Sequence, residues 1–333
     1  MGSAPTAGLR PAAEAGAPDL ERRFGALGRL YGQAAYERLR AGRVAVVGLG
    51  GVGSWAVEAL ARSGVGTLVL VDFDHVAESN INRQVQATEA TLGQAKGEAL
   101  RERIAGIHPG CRVIVVDEFV GPGNWPALLP CPVDVLIDAC DQVVAKLALA
   151  QWALDGGAPV VCVGAAGGRR EPARVQVADL AEVSHDPLLA ALRQRLRRSL
   201  RAAADPRVAG VAPGAGRTAR PRAEPALGLR CVYSREPVQR PAAACDEAAA
   251  PAAGSALACQ GYGSSVTVTA TFGMVAAAEA IALLCAANTA DLPGGAVGAA
   301  RAEAAAPGRE APSRYTERLS GRVVSSVGRA ADF

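Results

Sequence analysis

From residue 43 to residue 163 the chain alternates short, unbroken apolar runs with longer stretches whose apolar residues recur at helical spacing. The runs at 43–47 (RVAVV), 67–71, 112–116, 133–137 and 159–163 are rich in Val, Leu and Ile, as strands covered on both faces must be. Helices are predicted after Gly53 through Arg62, over 93–107, where Leu100, Ile104 and Ile107 recur on helical spacing, and over 144–154. Strand–helix alternation of this kind builds a parallel sheet with helices on both faces, so the expected class is α/β.

Beyond 163 the texture changes. A strand is predicted at 173–177, and Asp186-Pro187 is a good start for a helix over 188–200. Residues 1–20 read as a disordered lead-in, 21–163 as the α/β domain, and 164–287 as an appended region. That region carries Ala/Pro/Gly/Arg-rich insertions near 202–226 and 239–258, and 288–333 is a low-complexity tail. The apolar segment 264–287 is long enough to cross a bilayer at about 1.5 Å per residue. Glu279 in its middle, the alternating Thr267, Thr269 and Thr271, and Gly273 argue instead for a buried core element, because an intramembrane carboxylate is costly. A cytoplasmic protein is expected, with membrane association through 264–287 as the alternative.

Composition sharpens this picture in three places. The 333 residues are half hydrophobic and carry a formal charge of only +3, the balance of a folded protein with no bulk signature of nucleic-acid binding. The 8 cysteines include no C-x-x-C pair, which argues against a four-cysteine zinc site and a thioredoxin-type motif. The N-terminus lacks a charged head followed by an apolar stretch, so reduced thiols are expected. Of the basic residues only Lys96 and Lys146 are lysines, which hints at sites a planar guanidinium does not serve.

Gly48, Gly50 and Gly53 satisfy G-x-G-x-x-G (GLGGVG, 48–53) directly after a strand and before a helix. Such a loop lets phosphates approach the backbone at a helix N-terminus, and Asp72, ending the next strand, is placed to accept from a ribose hydroxyl. The loop alone does not decide between NAD and ATP. Four polar segments C-terminal to it favour ATP: VDFD at 71–74, SNINRQ at 79–84, GQAK at 93–96 and IDACDQ at 137–142. Arg83 and Lys96 would supply cations to a triphosphate, and Asp138 or Asp141 would hold Mg²⁺. These are the parts needed when a carboxylate displaces pyrophosphate at an α-phosphorus.

This order of motifs resembles the ubiquitin-activating-enzyme superfamily of the HesA–MoeB–ThiF type, whose bacterial relatives adenylate carboxylates in molybdopterin and thiamin synthesis. The resemblance implies a Rossmann-like, doubly wound, mostly parallel adenylation fold. It places Gly51 at the phosphates, Asp72 and its neighbour Asp74 beside the nucleotide, and Ser79, Asn80, Arg83 and Lys96 around the phosphates. Asp141 would sit on the metal, and Arg29, in RLYG at 29–32, would reach into a partner subunit of a homodimer. Arg83, Lys96, Asp141 and Arg29 are thus the implied catalytic set.

Later segments resemble one branch, the tRNA threonylcarbamoyladenosine dehydratase family: GAAGG (164–168), VQVADL (175–180), HDPLLAALRQRL (185–196), CVYSRE (231–236) and VTATFG (268–273). The implied activity is ATP-dependent cyclisation of N6-threonylcarbamoyladenosine in tRNA through an acyl-adenylate. The alternative is an adenylyltransferase for the C-terminal glycine of a ubiquitin-like sulfur carrier, though members of that branch usually carry paired C-x-x-C zinc ligands. A dinucleotide-dependent oxidoreductase and a non-catalytic nucleotide-binding adaptor are the readings from other classes.

Between 193 and 240 twelve Arg face three acids, and Arg193, Arg195, Arg197, Arg198 and Arg201 crowd one predicted helix and its end. Contact with tRNA phosphates is the functional reading, and coding bias on a solvated face is the other. Relatives in this branch are linked to a cysteine-desulfurase system, so Cys231 has two readings, a persulfide carrier or a small buried apolar residue.

Overall fold

The computed structural model describes residues 18–203, 225–239 and 262–286. Most of the lead-in, the two insertions and the tail expected from the sequence lie outside those residues. Three short helices, α1 (Leu20–Phe24), α2 (Ala26–Tyr31) and α3 (Gln33–Ala41), precede β1 (Arg43–Val47), α4 (Gly53–Arg62) and β2 (Thr67–Val71). Then come α5 (Lys96–Ile107), β3 (Arg112–Val116), β4 (Val135–Asp138), α6 (Val143–Leu154) and β5 (Val160–Val163). The chain continues through β6 (Val175–Asp179), α7 (Pro187–Ala203), β7 (Arg230–Ser234) and α8 (Val266–Cys285).

The strands form one sheet in the order β3-β2-β1-β4-β5-β7-β6. All neighbours run parallel except β6, which is antiparallel to β7. The α/β, doubly wound, mostly parallel expectation therefore holds. Because side chains alternate across a strand, Val44, Val46, Leu68, Leu70 and Ile137 face one core with α3, α4, α5 and α8. Ala45, Val47, Val69, Val71 and Leu136 face a second core with α6 and α7. Both halves of the chain share this sheet, so the change of texture at 163 is not a structural seam.

Several boundaries differ from the sequence expectation. The helix expected from 93 starts at Lys96, after Gly93 turns the chain at φ +80°. The strand expected at 173–177 runs Val175–Asp179, because residues 172–174 form a 3₁₀ turn that starts on Pro172. The helix begun at Asp186-Pro187 holds: the Asp186 carboxylate accepts from the Leu189 N–H at 3.0 Å, capping α7.

α8 is the one described helix long and apolar enough to cross a membrane by composition, and half of its apolar window is buried inside the fold. It crosses α4 so closely that a Cβ at Gly273 would lie 2.5 Å from the Val52 carbonyl oxygen. Glu279 pairs with Arg230 of β7 at 2.6 Å, which satisfies the carboxylate inside the protein.

Candidate functional site

Between β1 and β4 the sheet order reverses direction, and in open α/β sheets this crevice at the strands' C-terminal ends receives ligands. Here it opens into a cleft of about 650 Å³. The glycine loop forms its floor between β1 and α4. Gly48 turns at φ +86°, and a Cβ there would lie 2.8 Å from the Cys140 backbone nitrogen. A Cβ at Gly53 would collide with the Gly48 carbonyl, so Gly53 serves helix–strand packing and does not line the cleft. Gly50 and Gly51 do line it, and nothing stands within 4 Å of a Cβ at Gly50. That backbone is open to a ligand's approach.

Asp72 ends β2 and braces the loop. One carboxylate oxygen accepts from the Leu49 N–H at 2.5 Å and the other from the Asp74 N–H at 2.8 Å. Burial pushes its pKa above the ordinary aspartate value, against the lowering pull of Lys96 and the two N–H groups. Lys96, at the first turn of α5, is 5% exposed and reaches back to Asp74 at 2.6 Å, with Asp72 at 3.9 Å. Arg83 donates to the Ser79 carbonyl at 2.6 Å and to Asn82 Oδ1 at 2.9 Å. Its own carbonyl is held by Trp55 Nε1 at 2.9 Å. Ser79, Asn80 and Asp141 also line the cleft, so the expected nucleotide set, apart from Gly53, converges there. Asn80 is largely buried and its Oδ1 accepts from the Ala77 N–H at 3.1 Å, shaping the turn that carries Ser79.

Asp138 needs a correction as a candidate metal ligand. It is fully buried, does not line the cleft, and pairs with fully buried Lys146 at 3.1 Å. Lys146 Nζ also donates to the Asp138 carbonyl at 3.2 Å, and the Cys140 thiol donates to Asp138 Oδ1 at 2.8 Å. Burial pulls the ammonium's pKa down, but the negative neighbours together, Asp138 foremost, outweigh it and hold Lys146 charged. The pair fixes the turn from β4 into α6 on which Asp141 sits. Among the described residues no cluster of three or more His, Cys, Asp and Glu side chains could hold a metal.

The sequence reading missed the cleft's apolar wall. Phe73 and Phe119 line it with ring centroids 4.6 Å apart. Both rings are about half exposed, at 48% and 54%, which suits a stacking surface for a base. Phe73 directly follows Asp72 at the strand's C-terminal end, and that position was the available signal.

The sequence profile of the ThiF family matches residues 24–305. The chain belongs to the ThiF family. Within it, the chain is similar to the tRNA threonylcarbamoyladenosine dehydratase of Escherichia coli, with 39% identity over 264 residues, 78% of this chain and 92% of that protein. A solved structure of that E. coli protein, TcdA, in complex with ATP, superposes with a TM-score of 0.65 at 38% identity, covering 79% of this chain and 94% of the other. The molybdopterin-synthase adenylyltransferase of E. coli is 38% identical over only 110 residues, 33% of this chain and 44% of that protein.

Other expected residues of this ThiF-family chain separate by position. Arg195, Arg198 and Arg201 lie three residues apart and form one exposed stripe along α7. Arg193 points elsewhere, donating through Nη1 to the Leu180 and Val183 carbonyls at 3.1 and 2.7 Å, and Arg197 is only half-buried. Arg29 is exposed on α2 and does not line this chain's cleft. Cys231 is fully buried on β7 and burial pushes its thiol well above the ordinary value, which suppresses thiolate chemistry.

Proposed function

We propose that this chain catalyses the ATP-dependent dehydration of N6-threonylcarbamoyladenosine in tRNA. The observation that carries the reading is the extent of the likeness: similarity to the E. coli dehydratase continues through 92% of that protein, well past the first α/β half. Similarity to the molybdopterin-synthase adenylyltransferase stops at 44% of its length. The sulfur-carrier alternative therefore has support over 33% of this chain, against 78% for the dehydratase.

The cleft supplies what adenylation requires. The glycine loop and the N-terminus of α4 receive the phosphates, the Phe73–Phe119 wall stacks the adenine, and Asp72 accepts from the ribose. A threonyl carboxylate oxygen attacks the α-phosphorus and pyrophosphate leaves. Arg83 and Lys96 stabilise charge that builds on the phosphoryl oxygens, where one lost donor costs about 10²–10³ in rate. The carbamoyl group then closes on the activated carbonyl, and AMP departs with the oxygen that makes up the lost water. Ring closure within one molecule gains from effective molarity.

Magnesium fits this donor set, since it commonly takes one or two carboxylates with phosphates and water, and Asp141 lines the cleft together with Asp72, Asp74 and Glu118. When bound it would neutralise phosphate charge. The exposed arginine stripe of α7 is assigned to tRNA phosphates. A homodimer is also part of the reading, supported by Arg29, Leu30 and Tyr31 standing exposed together on α2. We place the protein in the cytoplasm with the tRNA that this reading assigns to it. A partnership with a cysteine-desulfurase system would have to run through something other than the Cys231 thiol.

The test is to incubate the protein with ATP, Mg²⁺ and tRNA bearing threonylcarbamoyladenosine, then to weigh the digested nucleosides. ATP-dependent loss of one water is the expected result. An unchanged mass, with ATP–pyrophosphate exchange driven by a sulfur-carrier protein, would transfer the assignment to the alternative.

A further inference from the structure

Beside the cleft lies a second hollow of about 460 Å³, walled in part by His185, Arg193 and Pro237. The two adjoin, sharing Pro187, Val238 and Tyr262 in their walls. The hollow's lining combines an aromatic residue, Tyr262, and two prolines with polar groups: His185, whose Nδ1 stands 3.0 Å from the Ser184 hydroxyl, and Arg193 of α7. Among the described residues Arg193 bonds to protein through Nη1 alone, so its remaining guanidinium donors are available.

The backbone here is held in a costly shape. His185 has φ +58°, the one non-glycine residue with positive φ among the described residues. Such strain persists only where surrounding bonds over-determine it. They do: Arg169 Nη2 donates to the His185 carbonyl at 3.0 Å and to the Asp186 carboxylate at 3.1 Å. Asp186 in turn accepts from the Ala165 N–H at 2.9 Å, tying this segment to the wall of the nucleotide cleft. Arg193 anchors the preceding turn through the Val183 carbonyl.

We propose that this hollow receives the modified nucleotide of the tRNA, with its purine against Tyr262 and its flanking phosphate on Arg193. The inference rests on the dehydratase reading. That reaction needs two nucleosides in adjoining spaces, so that the arm carrying the carboxylate passes over the Pro187–Val238 ridge to the α-phosphorus. Single-stranded bases splayed out of RNA are held by aromatic stacking and by arginine, which are the groups found here. Arg193 thereby leaves the α7 surface stripe and joins the acceptor pocket.

The experiment compares wild type, Tyr262→Ala and Tyr262→Phe for KM and kcat toward threonylcarbamoyladenosine-bearing tRNA and for the dissociation constant of ATP. Free N6-threonylcarbamoyladenosine serves as a competing probe. Tyr262→Ala is expected to raise the KM for tRNA roughly tenfold or more, since stacking on an aromatic ring is worth about that much per base. The free nucleoside should then stop competing, ATP affinity should change less than about twofold, and Tyr262→Phe should behave as wild type. Retained ATP binding shows that the Ala variant is folded. Wild-type KM and undiminished competition in Tyr262→Ala would overturn the assignment of the hollow while leaving the dehydratase reading intact. ATP affinity lost in step with tRNA would also overturn it, by making Tyr262 part of the ATP site. Wild type inert toward the tRNA would remove both.

Discussion

Lys96 Nζ stands 2.6 Å from Asp74 Oδ2 and 3.9 Å from Asp72 Oδ1, so one ammonium is shared by two carboxylates at the mouth of the nucleotide cleft. A triphosphate entering the cleft competes with Asp74 for that charge, and the lysine's flexible stem permits the transfer. Lys96→Ala should therefore cut turnover by about 10²–10³ or more. Pyrophosphate release measured beside a melting curve checks this, and near-wild-type turnover in a folded variant would remove Lys96 from catalysis.

ATP binding should weaken on the acid side. The Asp72 carboxyl is held above its ordinary value of 3.8 by burial, and its ionised form is the one that accepts from a ribose hydroxyl. As pH falls through that raised value, ATP affinity should drop, whereas Asp72→Asn should bind weakly with no such limb. Stability moves oppositely. The native state binds the proton more tightly than the unfolded one, so this group's contribution is full below 3.8 and is lost as pH climbs through the raised value. Titration calorimetry across the acid range reads the first effect.

Two glycines of the loop should fail differently. Gly53→Ala drives a methyl group into the Gly48 carbonyl, and overpacking of this kind costs about 1–3 kcal/mol or more. Gly50→Ala meets nothing within 4 Å and should melt near wild type while losing ATP affinity, because its methyl group enters the phosphate path. Thermal melts paired with ATP titrations separate the two.

Removing the three exposed arginines of α7 together, Arg195, Arg198 and Arg201 to Ala, should weaken tRNA binding and flatten its salt dependence. The slope of log affinity against log salt should shrink by about two to three, at roughly 0.7–0.9 per phosphate contact. Filter binding across a salt series measures it, and an unchanged slope would return the stripe to ordinary solvated surface.

Lys146→Met should destabilise by about 3–5 kcal/mol, because it strands a buried Asp138 carboxylate. Adding Asp138→Asn should recover part of that loss. Chemical denaturation of the single and double variants reads the coupling.

Much of this architecture was legible in the sequence because continuous Val-rich runs suit doubly covered strands, and because GLGGVG sits at a strand–helix junction. The short helices α1 to α3 were not legible: each spans at most nine residues and glycines punctuate them. β7 was hidden because its five residues, RCVYS, come after an Ala/Pro/Arg-rich stretch. Asp138 was misplaced for a reason the pleat makes plain. It lies two residues after Leu136, on the face that carries α6, so its side chain turns inward to Lys146 while Asp141, past the strand's end, reaches the cleft. The arginines of α7 were counted as one group, although a period of 3.6 separates Arg195, Arg198 and Arg201 from Arg193.

The crossing of α8 over α4 also sets an order of events during synthesis. Arg38 of α3 bonds the Cys285 carbonyl, and Leu284 packs where Gly42 leads into β1, so the first third of the chain is closed by residues near 285. A nascent chain that has just completed the glycine loop exposes the apolar flank of α4 until some two hundred more residues emerge. At about 5–20 residues per second that interval is roughly 10–40 s. During it the nucleotide cradle has its sequence but not its buttress, and a chain arrested before residue 266 presents that flank to chaperones and proteases.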